Sequence, residues 1–173
     1  MAREKILIVD DEPHYLEWLE EYVVSLGYDA VFVETANRAV EVGAETPFRA
    51  IIFDLNIPIT GALRELATAK GGLYATYPGL YLAWVARTAG FRSKQTIVYS
   101  VHSLEELEVE CKKLSCTYIS KGRPAIFKQE LRDVLSYDPT KDKKRLKKAD
   151  PPVGSARTTR RRPPEGAGAR RKR

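Results

Sequence analysis

Cysteine is scarce in this chain of 173 residues: Cys111 and Cys116 are its only two, five positions apart, and His14 and His102 are its only histidines. That is neither the disulfide framework of a small secreted domain nor the ligand spacing of a zinc finger, and the two thiols read as small buried hydrophobes. Long apolar runs are missing as well. No stretch approaches the roughly 18 consecutive apolar residues that cross a bilayer. The opening run Ile6-Leu7-Ile8-Val9, reached after Met1-Ala2-Arg3-Glu4-Lys5, is too short for the apolar region of a secretory leader. The expectation is a soluble, cytoplasmic protein.

Excess positive charge is absent from most of the chain. Residues 1–137 hold 15 Lys and Arg against 19 Asp and Glu, net −4, whereas residues 138–173 hold 14 against 4, net +10. The basic balance belongs to the last 36 residues, which have almost no large apolar side chains and carry the runs Lys143-Lys144-Arg145, Arg160-Arg161-Arg162 and Arg170-Arg171-Lys172-Arg173. Such a segment cannot bury enough surface to offset its ordering entropy, so 138–173 is expected to be a disordered tail. Its charge suits nonspecific contact with nucleic acid or another polyanion through 141–173; no helix-turn-helix, zinc finger or stacking-aromatic module is there to read a base sequence. The length fits one domain, 1–137, plus this appendage.

Within 1–137, Ile6-Leu7-Ile8-Val9 is a β-branched and aliphatic run of the kind found in a central parallel strand covered on both faces. Asp10, Asp11, Glu12 and Pro13 end it. Apolar residues then recur at helical spacing from Tyr15 to Leu26, with Gly27 as a stop. Ala30–Val33 reads as a second strand and Ala36–Val42 as a weaker helix ended by Pro47, and Ala50-Ile51-Ile52-Phe53 is a third strand ending on Asp54. Thr96–Tyr99 ends at Ser100, Leu104–Leu114 is an acidic-then-basic helix, Thr117–Ile119 runs to Lys121, and Ala125–Leu135 is a last helix. Alternation of this kind implies a parallel sheet with helices on both faces. Because all strands then point one way, Asp10, Asp11, Asp54, Ser100 and Lys121 share one crevice at the carboxyl ends.

Carboxylates crowded together repel unless a cation compensates, and an oxygen-only donor set suits a hard ion such as Mg²⁺. Asp10, Asp11 and Asp54 supply side-chain oxygens and Asn56 a main-chain carbonyl. A metal beside a carboxylate lets a phosphoryl group approach, which makes Asp54 a candidate nucleophile. The aspartyl phosphate carries close to two negative charges, for which Ser100 offers a hydroxyl and Lys121 an ammonium. Drawing Ser100 to the phosphate empties space that an aromatic ring can fill, and Tyr118, on the strand leading to Lys121, is the candidate ring.

The acidic pair Asp10-Asp11, Asp54 in Phe53-Asp54-Leu55-Asn56-Ile57-Pro58, Ser100 at the end of the fourth strand and Lys121 three residues after Tyr118 together resemble the receiver (CheY-like) domain of two-component response regulators. The resemblance spans roughly residues 4–136. It implies a flavodoxin-like, three-layer αβα fold with a five-stranded parallel sheet in the order 2-1-3-4-5. It further implies a stand-alone receiver that is not a classical enzyme: a sensor histidine kinase or phosphotransfer protein donates a phosphoryl group to Asp54. Asp10, Asp11, Asp54 and the Asn56 main chain position Mg²⁺, Ser100 and Lys121 bind the phosphoryl oxygens, and Ser100 with Tyr118 switches a surface for a downstream protein target or a homodimer. That surface is the face of the family's fourth helix, fifth strand and fifth helix. The alternative is a phosphorylation-independent adaptor or nucleic-acid-associated scaffold acting through the basic tail. A hydrolase of the haloacid dehalogenase type is excluded because Asn56 occupies the second position of its Asp-x-Asp motif.

Three features depart from the pattern. Gly122 stands where proline usually follows the lysine, with Pro124 later, and Val101 is bulkier than the small residue usual after the hydroxyl. Between Asp54 and the fourth strand, Gly79–Arg87 matches the third helix, which leaves 60–78 as an inserted loop over the active site. Its glycines and tyrosines suit a gate or a partner-recognition element.

Overall fold

A computed structural model describes residues 3–137. Five strands form the sheet: β1 (Lys5–Val9), β2 (Asp29–Val33), β3 (Phe48–Phe53), β4 (Thr96–Ser100) and β5 (Thr117–Ser120). All are parallel, in the order β2-β1-β3-β4-β5. The central strands are buried along almost their whole length, as their unbroken apolar runs require of strands covered on both faces.

Period-two alternation divides those strands between two cores. Leu7, Val9, Ile51, Phe53 and Val98 meet α2 (Ala36–Glu45), α5 (Pro78–Ala89) and α6 (Glu105–Lys113) on one face. Ile6, Ile8, Ile52, Ile97 and Tyr99 meet α1 (Glu17–Ser25) and α7 (Pro124–Ser136) on the other. Local signals set the helix starts. Pro78 and Pro124 each open a helix in its first turn, where no intrahelical donor is lost, and the Thr35 hydroxyl accepts from the Arg38 N–H at 3.2 Å to cap α2. A short 3₁₀ turn, Pro13–Leu16, carries the chain into α1.

The segment 60–78 is not a loop. It holds α3 (Gly61–Lys70) and a single turn, α4 (Leu73–Thr76), before α5 begins. Residues 62–70 are rich in good helix formers, and Leu63, Leu66, Ala67 and Lys70 fall at helical spacing. The turn signal is confined to Gly71 and Gly72, whose φ angles of 73° and 56° make the corner between α3 and α4. Gly61 is the first residue of α3, and Gly79 lies in the first turn of α5, as the match of Gly79–Arg87 to a helix implies. Among the described residues no helix is long and apolar enough to cross a membrane. The expected disorder of 138–173 and polyanion contact of 141–173 fall outside the described residues.

Candidate functional site

The ladders of the sheet carry Asp10 and Asp54 one step beyond their strands. The Asp10 N–H donates to the Val33 carbonyl at 3.1 Å and the Asp54 N–H to the Val9 carbonyl at 2.8 Å, so adjacent strands end on adjacent carboxylates. On the far side of β4, the Lys121 N–H donates to the Ser100 carbonyl at 2.7 Å. That bond fixes the lysine's backbone although Gly122 follows it.

The three side chains then meet. Lys121 Nζ lies 2.7 Å from Asp10 Oδ2 and 2.9 Å from Asp54 Oδ1. Asp10 is 3% exposed and Asp54 7%. The second oxygen of each acid is also engaged: Asp10 Oδ1 accepts from the Glu12 N–H at 3.0 Å and Asp54 Oδ2 from the Asn56 N–H at 2.8 Å. Both carboxylates are therefore held in one orientation. Burial pushes the Lys121 ammonium toward losing its proton, but the bonds to Asp10 and Asp54 outweigh this and raise its pKa above the ordinary lysine value.

The remaining candidates differ in placement. Ser100 is fully buried at the end of β4, its Oγ accepting from the His102 N–H at 3.2 Å. Asp11 is exposed beside the crevice. Tyr118 packs against the core under α5 and α6, and its hydroxyl is buried without a partner among the described residues. Burial, with Cys111, Glu108 and Tyr77 nearby, raises its phenol pKa. Cys111 and Cys116 are free thiols, each pushed up to about 12 chiefly by burial, which makes them inert as nucleophiles.

Two residues around the crevice carried no clear functional signal in the sequence. His102, noted there only as one of two histidines, accepts at Nε2 from the Asn56 side-chain amide at 2.7 Å. Its ring stands edge-on to Tyr77, centroids 5.3 Å apart. Gly79, read as one position in a helix, presses on the site from below: a Cβ there would fall 1.7 Å from the Asp54 carbonyl oxygen. Its closeness to Asp54, 25 positions earlier, is not visible in a linear pattern; position two past Ser100 was the sole hint for His102.

The donor set fits a hard cation. Asp10 and Asp54 already converge on one positive charge, with oxygens alone facing it. Among the described residues no group of three His, Cys, Asp or Glu side chains is gathered into a metal cluster. An ion here would thus take the Asp10 and Asp54 carboxylates and fill its other positions with water, main-chain oxygen or the exposed Asp11, which is the habit of Mg²⁺ and not of zinc.

A five-stranded parallel sheet in this order, flanked by helices on both faces, is the CheY-like, flavodoxin-like fold. Solved structures match it along most of the chain. A CheY-like response regulator receiver domain from Methanospirillum hungatei is 20% identical with a TM-score of 0.60, the match covering 78% of this chain and 95% of that one. The BeF3-activated N-terminal receiver domain of RstA from Klebsiella pneumoniae is 19% identical, with a TM-score of 0.60 over 78% of this chain and 100% of that one. The chemotaxis protein CheY4 of Vibrio cholerae is likewise 19% identical, with a TM-score of 0.58 and the same coverage. No protein-family model matches the sequence, and no curated protein matches it.

Proposed function

We propose that the chain is a phospho-accepting signalling switch in a two-component relay, with Asp54 as the acceptor. The observation that carries this reading is the placement of one lysine ammonium between Asp10 and Asp54 at the carboxyl edge of the sheet. The donor is the phosphohistidine of a sensor kinase or phosphotransfer protein. An Asp54 oxygen attacks phosphorus, a P–O bond forms as the P–N bond breaks, and the departing imidazole keeps the electron pair and takes a proton from solvent.

The chain's own groups prepare this step. The Asn56 N–H fixes the Asp54 carboxylate so that it points into the crevice. Lys121 is positioned to follow the charge from carboxylate to phosphoryl oxygen. Asp10, Asp11, Asp54 and the Asn56 carbonyl are the residues that would hold Mg²⁺, which supplies charge neutralisation on the transferring oxygens when bound. The product adds close to two negative charges. Ser100 Oγ turning toward them must leave the His102 N–H, and Tyr118, half-buried beneath, is the ring placed to follow. The surface altered is that of α6, β5 and α7, offered to a downstream protein or a second copy. The chain catalyses only its own phosphorylation and dephosphorylation.

Intact mass after incubation with acetyl phosphate and Mg²⁺ tests the reading: one phosphoryl group on the wild-type chain and none on Asp54→Ala is expected. No gain on the wild type under saturating donor refutes it. The alternative, an adaptor indifferent to phosphorylation, rests on the tail and is favoured by that negative result.

A further inference from the structure

The helices between β3 and α5 are tied to the molecule at both ends. Where α3 starts, the Thr60 N–H donates to Asn37 Oδ1 at 3.0 Å and Asn37 Nδ2 returns a bond to the Thr60 carbonyl at 3.2 Å. Where α5 starts, the Gly79 N–H donates to the Leu55 carbonyl at 3.0 Å, one residue past Asp54. Between these ties, Lys70 Nζ lies over the Tyr74 ring at 4.5 Å and the Trp84 ring at 4.0 Å, holding the tyrosine upright.

Tyr74 then reaches α6. Its hydroxyl donates to Glu110 Oε1 at 2.5 Å, while Lys113 holds the other carboxylate oxygen at 2.9 Å. A groove of about 460 Å³, lined by Leu73, Glu105, Glu106, Val109, Glu110 and Lys113, runs between α4 and α6, so this bond spans two helices that do not interlock along their length. Helix α6 buries only Leu107 and Cys111 and is otherwise charged over much of its surface. An element with so narrow a buried stripe is readily displaced.

We propose that the Tyr74–Glu110 bond is a latch through which α3 and α4 hold α6 in place while Asp54 is unmodified, and that phosphoryl transfer to Asp54 opens it. The release step rests on Asp54 being the phospho-acceptor. Its route runs through contacts already described. Once Ser100 Oγ turns to a phosphoryl oxygen, the His102 N–H loses its acceptor, His102 shifts, and the Tyr77 ring packed edge-on to it shifts too. The Tyr77 N–H is bonded to the Leu73 carbonyl at 2.8 Å, so the turn that carries Tyr74 moves as a unit with it. Hydrogen bonds weaken steeply once the donor angle falls off or the atoms separate, so a shift of the turn that carries the hydroxyl weakens the bond to Glu110.

Hydrogen exchange of the full chain, read by mass spectrometry over residues 105–113 with and without beryllofluoride and Mg²⁺, tests the latch. In the wild type, beryllofluoride should speed exchange of α6 about tenfold, the population change expected when a charge-assisted bond is lost. Tyr74→Phe should show the faster rate without beryllofluoride, and Glu110→Gln, which keeps an acceptor oxygen but no charge, should fall between. Circular dichroism is the check that both variants fold. Wild-type exchange that stays constant in a chain that does gain mass at Asp54 with acetyl phosphate overturns the latch alone, as does Tyr74→Phe exchanging like the wild type. Absence of any mass gain overturns the phospho-acceptor reading and the release step with it.

Discussion

The α-carbon of Gly79 rests on the backbone of Asp54: an added Cβ would lie 1.7 Å from the Asp54 carbonyl oxygen, 2.7 Å from its carbon and 2.9 Å from the Leu55 α-carbon. All three neighbours are main-chain atoms of a buried strand end, which cannot rotate aside. Even the smallest side chain must therefore separate α5 from β3. Gly79→Ala is expected to cost about 3 kcal/mol, at the upper end of overpacking effects. It should also slow phosphorylation of Asp54, because the strand end that aims the carboxylate is displaced. Urea denaturation and intact mass over time measure the two effects, and a variant with the wild-type midpoint would contradict the contact.

Lys121 makes a second prediction. Replacing it with methionine leaves Asp10 and Asp54 facing each other without their shared cation, and removes the donor that would meet the phosphoryl oxygens. Loss of one preorganised donor costs about 10²-fold in rate in comparable sites. Lys121→Met should slow phosphorylation by acetyl phosphate by about that factor and make the remaining rate depend more steeply on Mg²⁺; chelation should abolish it in both proteins. The lysine's pKa is raised on folding, since bonds to two acids outweigh burial. Its stabilising contribution is thus complete below the ordinary lysine value and is lost as pH rises through the higher native one. Alkaline unfolding should narrow the stability gap between wild type and Lys121→Met.

Strands and crevice were legible in the sequence because both follow from position along the chain. Ile6–Val9, Ala50–Phe53 and Thr96–Tyr99 are continuous apolar runs, and the polar residue after each must sit at the same sheet edge once the strands are parallel. The helical nature of 61–70 was masked by the Gly71-Gly72 corner, a two-residue signal that colours a window of helix formers around it. His102 was illegible for a different reason. Its partners, Asn56 and Tyr77, lie 46 and 25 positions away, and only the α3–α4 excursion returns Tyr77 to the crevice. Tyr118 was readable as a ring beneath Ser100, but its orphaned hydroxyl is a property of packing alone.

The latch should respond to acid. Burial raises the Glu110 pKa, but the Tyr74 hydroxyl, Lys113 and Lys70 together outweigh it and hold the carboxyl below its usual range. A group lowered on folding stabilises fully above its ordinary value and loses that contribution as pH falls through the native one. Tyr74, raised by burial and by Glu110, keeps its proton throughout this window. The stability difference between wild type and Tyr74→Phe should therefore be constant near neutrality and shrink below about pH 4, the ordinary carboxylate range. Denaturant titrations at several pH values measure it, and a difference that grew in acid would show that the bond does not depend on the charged carboxylate.

Arg49 closes the opposite end of the sheet. Its guanidinium Nη2 donates to the Leu135 carbonyl at 2.8 Å and to the Tyr137 carbonyl, with Val134 O at 3.4 Å, so a β3 residue caps the last turn of α7. Cations belong at a helix C-terminus, where free carbonyls concentrate negative charge. Lys94 Nζ lies 5.3 Å from the Tyr137 ring and adds to the closure. Arg49→Met keeps the length of the side chain and removes its donors, leaving buried carbonyls without them, at an expected cost of about 2 kcal/mol. Because Arg49 lies at the start of β3 and Asp54 just past its end, the variant should still be phosphorylated at the wild-type rate under conditions where it is folded. Faster amide exchange confined to the last turn of α7, with Asp54 chemistry unchanged, is the expected pattern. Equal loss of both would mean that the two ends of β3 are coupled through the sheet.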